Sequence, residues 1–151
     1  MFAGLLLVHL VCFAAYLAAG FAQLQIMKRS KTLAPALRDD HEKLAAAIVT
    51  KIELPAIIGS IVSGLGFVAT TPDLMKQGWL HGKLLCVLIL LVLSHLEMFN
   101  ARKIVRAREA NGEKANDEID ARKKKHELFG LIGTAAAVGL LLCVTFVRLR
   151  G

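Results

Sequence analysis

The chain has 151 residues, room for one domain, and 56% of them are hydrophobic while only 6% are aromatic. A formal net charge of +7 would suit a nucleic-acid surface. The placement of the basic residues argues against that class, because they flank apolar blocks long enough to cross a bilayer, which takes about 20 residues each.

The first block, residues 2–26, predicts a membrane helix. No basic region precedes its apolar core, so a cleaved signal peptide is not expected. Ala14, Ala18 and Ala22 recur every fourth residue and predict a close-packing face. A basic stretch follows, with Lys28, Arg29, Lys31, Arg38 and Lys43. The second block, 44–69, carries Lys51 and Glu53 in its first half. Pro55 removes the amide that the Lys51 carbonyl would use and predicts a kink. Ser60 and Gly64 form a second small-residue stripe. A short turn around Pro72 and Asp73 leads to the third block, 79–98. The segment 100–125 is rich in charge, and its Asn111-Gly112 pair predicts two helical extensions with a break between them. The fourth block, 128–147, repeats the small-residue pattern at Ala135 and Gly139. Cys12, Cys86 and Cys143 sit in separate blocks without a Cys-x-x-Cys pairing and read as small apolar packing.

The expected fold is therefore all-α: an integral membrane four-helix bundle, a single transmembrane domain over residues 1–151. Fourteen of the 19 basic residues fall between the first and second blocks or between the third and fourth. An even helix count puts both basic loops on one side, and excess Lys and Arg mark the cytoplasm. Both termini are then outside, a placement that Arg148 and Arg150 oppose only weakly.

Ionisable residues inside apolar spans cost a few kcal/mol and are functional candidates by default. His9 is expected about 10 Å inside the outer surface, His81 about 3 Å and Lys83 about 6 Å. A neutral imidazole between facing helices is a usual axial ligand of haem iron. His81 and Lys83 are two residues apart, about 200° around a helix, so they cannot both reach one iron. The alternatives are His9 with His81, or His9 with Lys83, the remaining residue serving a propionate or a substrate carboxylate. Near the other side lie His95, Glu97 and Glu53, with His41 and His126 flanking. There interfacial hydrogen bonding is the simpler expectation; a Glu53 set deeper would pair with His95 or relay protons.

The segments Val8-His9-Leu10, Leu54-Pro55-Ala56 with the following Gly64, and Gly78-Trp79-Leu80-His81-Gly82-Lys83-Leu84 resemble the HemJ-type protoporphyrinogen IX oxidases. They also resemble the related copper-resistance membrane proteins of the CopD type. The likeness spans roughly residues 5–105. It departs at Lys125-His126-Glu127-Leu128-Phe129-Gly130, where the HemJ-type proteins tend to have an Asn-Glu-x-Pro-like stretch. The resemblance implies a multi-pass protein of the bacterial inner membrane binding haem b, with His9, His81 and Lys83 as ligand or substrate residues. It implies oxidation of protoporphyrinogen IX to protoporphyrin IX, with electrons passed to a membrane acceptor. Lipid, a porphyrin substrate and further copies or subunits of a membrane complex are the expected partners, and nucleic acid is not. Copper transport or tolerance, and a haem-binding or purely structural accessory subunit, are the competing readings.

Overall fold

A computed structural model describes residues 2–143 and residue 145. The end of the fourth block, with Arg148 and Arg150, lies outside the described residues. The described residues form helices and short turns, with no strand among them.

Helix α1 (Phe2–Ser30) ends where the Ser30 hydroxyl donates to the Met27 carbonyl at 2.7 Å. The chain then extends at Ala34, ψ 150°, because a residue before proline is pushed out of the helical region. Pro35 opens α2 (Pro35–Ile48) in its first turn, where a missing amide costs nothing. One π-helical turn, Val49–Glu53, joins α2 to α3 (Leu54–Thr70). The Leu54 amide bonds to the Val49 carbonyl, five residues back. The chain thus accommodates Pro55 by winding one residue wider. The wider turn carries Glu53 to the interior, 1% exposed, and leaves Ile52 49% exposed.

Thr71, extended before Pro72, stops α3. A 3-10 turn, Pro72–Lys76, leads into α4 (Gly78–Asn111). Gly112 adopts φ +56°, a conformation that a side chain disfavours. The chain reverses there through Gly112–Ala115 into α5 (Asn116–Leu142), so the Asn111-Gly112 break falls where the sequence predicts it.

Three helical stretches, Ala3–Ser30, Pro35–Thr70 and Gly78–Leu142, are long and apolar enough to span a membrane. Leu7, Val11, Phe21, Val62, Leu85 and Leu131 all stand more than half exposed on the outer surface. Lipid tails are as apolar as leucine, so such a surface needs no further cover.

The helices outrun the apolar blocks. The first continues through Lys28 and Arg29, the second starts at Pro35 rather than residue 44, and the third and fourth meet near Gly112. Composition marks where polarity changes along a helix, not where the helix stops. The charged extensions have their own core of Met27, Ala45, Ile104, Ala115 and Ile119. The apolar part packs around Tyr16, Ala56, Ile57, Leu90, Ala137 and Leu140.

The packing face of α1 differs from the predicted one. Ala14 and Ala18 are exposed, while Tyr16, Ala19, Gln23 and Met27 are buried. The close approach comes from glycines of other helices. A Cβ at Gly59 would lie 2.8 Å from Cys12 Sγ, so α1 seats on α3 at that notch. Cys143 faces Gly82 and Cys86 faces Gly139, at 3.4 and 3.7 Å from the would-be Cβ. These reciprocal notches give all three cysteines a packing role.

At the charged end, the fully buried Glu42 of α2 accepts two hydrogen bonds from Arg108 of α4, from Nε to Oε2 and from Nη2 to Oε1, each 3.0 Å. Lys123 Nζ of α5 lies 2.6 Å from Glu42 Oε1. Arg108 also donates to the Gly112 carbonyl and to Asn116 Oδ1, which ties the hairpin turn to the same carboxylate.

Candidate functional site

The residues singled out by the sequence fall in two places. In the first, His9 of α1 reaches across to α3. Its Nδ1–H donates to the Ser60 carbonyl at 2.8 Å, with the Ser63 hydroxyl 3.1 Å away. Gly64 leaves room for the ring: a Cβ there would stand 3.4 Å from His9 Cε1. Phe67 meets the imidazole edge-on, centroids 5.9 Å apart and planes at 87°. The Ser60 and Gly64 stripe is thus the seat of His9.

Lys83 of α4 lies within electrostatic reach of the His9 ring. His81 does not join them. It is exposed, and its Nδ1 lies 3.3 Å from the Gln77 carbonyl of its own helix.

The second place is at the other end of the apolar segment. Glu53 and Glu97 are 1% and 5% exposed, and their carboxyls come within mutual hydrogen-bonding reach. The Ser94 hydroxyl donates to Glu53 Oε1 at 3.1 Å, and Tyr16 reaches Ser94 from α1. Glu53 Oε2 receives no hydrogen bond. Both carboxyls line a cavity of about 300 Å³ with Tyr16, Gln23 and Thr134 among its polar walls. Gly20 and Gly130 open it: a Cβ at Gly20 would sit 3.8 Å from Glu53 Oε2, and one at Gly130 3.7 Å from Glu97 Oε1. Neither His9, His81 nor Lys83 lines this cavity.

His95, a sequence candidate to partner Glu53, instead bonds through Nδ1 to the Leu91 carbonyl at 2.8 Å. His126 is fully buried, and its Nε2–H donates to Gln23 Oε1. His41 caps its own helix turn at the Leu37 carbonyl, 2.8 Å away. Tyr16, Gln23 and Ser94 were not among the residues the sequence singled out. Gln23 and Gln25 are both uncharged polar side chains in the first apolar block, and only Gln23 is turned inward.

No family model, curated protein or solved structure matches the chain.

Proposed function

We propose that the protein is a haem b-binding membrane oxidoreductase, with His9 as an axial ligand of the iron. One observation carries the reading: His9 Nδ1 is committed to the Ser60 carbonyl, so the neutral imidazole keeps its Nε2 lone pair for a metal. Ligating histidines are usually held in this way, by a second partner on the other ring nitrogen. The donor set fits one strong axial ligand, with Lys83 rather than His81 as the second group of the site. Lys83 meets a porphyrin carboxylate as the ammonium, or completes the iron's coordination as the neutral amine. Bound haem would supply one-electron chemistry; the protein's part is to hold and orient it.

In this reading the Gly78–Leu142 stretch crosses the bilayer twice, once in each limb of its hairpin, which gives four crossings. The basic ends then share the cytoplasmic side of a bacterial inner membrane, and His9 and Lys83 occupy the outer leaflet. The substrate class follows from the resemblance at Trp79, His81 and Lys83: a porphyrinogen, apolar at its centre and edged with carboxylates, oxidised to the porphyrin.

The test is the visible spectrum of protein purified from haem-replete cells. We expect a Soret band that His9→Ala abolishes or shifts, that Lys83→Met shifts, and that His81→Ala leaves in place. A colourless preparation with no Soret band after haem addition overturns the reading. Bound copper without porphyrin absorbance would replace it with metal handling. Oxidation of protoporphyrinogen IX in membranes, lost in Lys83→Met, separates an enzyme from an accessory haem subunit.

A further inference from the structure

The Glu53–Glu97 cavity stands apart from the His9 site and does not depend on it. Its two carboxyls come from elements far apart in sequence. Glu53 is delivered by the π-helical turn forced ahead of Pro55, and Glu97 lies on α4. Among the described residues, no lysine or arginine lines the cavity. The groups facing the pair are the Tyr16 hydroxyl from α1 and the Ser94 hydroxyl from α4, while Thr134 of α5 lines the cavity with its hydroxyl bonded to the Gly130 carbonyl of its own helix. Gln23 at the cavity wall accepts from His126 through Oε1. His95, next along α4, is bonded to its own helix. Further out, Lys31 is held on Glu127 at 2.7 Å and Lys123 on Glu42. No basic side chain of the cavity wall neutralises either carboxyl.

Two like charges within hydrogen-bonding reach in an apolar enclosure cannot both persist, and such pairs hold a proton in common. The orphaned oxygen is independent support. Glu53, 1% exposed, lines the cavity, and its Oε2 has no donor among the described residues. A buried acceptor left bare costs about 1–3 kcal/mol, and a proton on Glu97 supplies a donor to this pair. The walls explain how such a proton would exchange. Gly20 on α1 and Gly130 on α5 keep the space beside the carboxyls open, wide enough for several waters at about 30 Å³ each.

We propose that Glu53 and Glu97 form a membrane-embedded proton-exchange site, holding one shared proton and trading it with water that enters between α1 and α5. The exchange is a proton transfer alone. The O–H bond of one carboxyl breaks as its proton passes to a cavity water, and that water delivers one of its own protons to the other carboxyl, so the pair keeps one proton and one negative charge throughout.

The test is infrared difference spectroscopy of the full chain in lipid nanodiscs as pH is stepped. At neutral pH we expect one protonated-carboxyl C=O band that shifts in D2O and is unmoved by added sodium chloride. Glu97→Gln and Glu53→Gln should each abolish that band, and Glu97→Asp should retain it at a shifted frequency. Absence of the band in the wild-type protein at neutral pH overturns the proposal, and this reading needs no variant to fold. Its survival in both glutamine variants also overturns it. Loss of the band on adding sodium at constant pH assigns the cavity to a metal cation and overturns it as well. None of these outcomes depends on whether the protein binds haem.

Discussion

The molecule buries acidic side chains in two ways. At the charged end, Glu42 is met by a bidentate guanidinium and an ammonium. Less than four turns further along the same continuous stretch, Glu53 is met by a hydroxyl and by another carboxyl. The first arrangement surrounds the carboxylate with two cations and joins α2, α4 and α5 at one point. Its logic is structural. The second ties Glu53 to α4 by the single Ser94 hydrogen bond and leaves an acceptor without a donor beside a cavity. A protein that can neutralise a buried carboxylate so fully at one level, and does not at the next, has kept the second for another use.

The largest effect expected from this contrast is at Glu42. Glu42→Gln leaves Arg108 and Lys123 with no counter-charge in a buried place. Breaking a buried ion pair by removing one partner costs about 3–5 kcal/mol. The unfolding midpoint in detergent or lipid should fall accordingly, with the α4–α5 hairpin losing protection from hydrogen exchange first. An unchanged midpoint would mean that water reaches the cluster and that Glu42 is no keystone.

The opposite is expected of the pair. Glu97→Gln keeps a side chain of the same shape and supplies an amide donor to Glu53, so the change in stability should stay below about 1 kcal/mol. The same unfolding measurement reads both variants. A loss as large as that of Glu42→Gln would erase the distinction between a structural and a functional carboxyl.

Much of this architecture was legible in the sequence. The apolar blocks and the break at Asn111-Gly112 follow from composition and local chemistry, whereas the seating of His9 on Ser60 and Gly64 shows only in the structure. The start of the second helix did not, because the amphipathic extension from Pro35 buries a face against α4 and α5 and looks like a basic loop in one dimension, unlike the extension beyond Met98. The Glu53–Glu97 meeting was hidden for a different reason. It depends on a single extra residue in one helical turn, and a regular α-helical count from Leu44 points Glu53 elsewhere. Likewise the Ala14–Ala18 stripe has the right spacing on the wrong face: spacing fixes a face, and only the partner helices decide which face is covered.

The smallest effect separates the two cations that hold Glu42. Burial lowers the Lys123 pKa from its ordinary 10.5, and the Glu42 carboxylate opposes that shift only in part. Hydrogen bonding to Glu42 raises that of Arg108. The folded chain therefore gives up the Lys123 proton more readily than the unfolded chain does. Between its folded value and 10.5 the unfolded state binds more protons, so stability rises with pH across that window. The gain is complete above 10.5 and is lost as pH falls through the folded value. Arg108 titrates above the window and adds no slope within it. Lys123→Met should remove this rise while leaving the Arg108–Glu42 pair in place. The difference between wild-type and variant midpoints, followed from neutral into alkaline pH, isolates it from every other titrating group. A slope that persists in Lys123→Met, or one of the opposite sign, would mean that attraction to Glu42 outweighs burial at Lys123, making the ammonium as necessary to the cluster as the guanidinium.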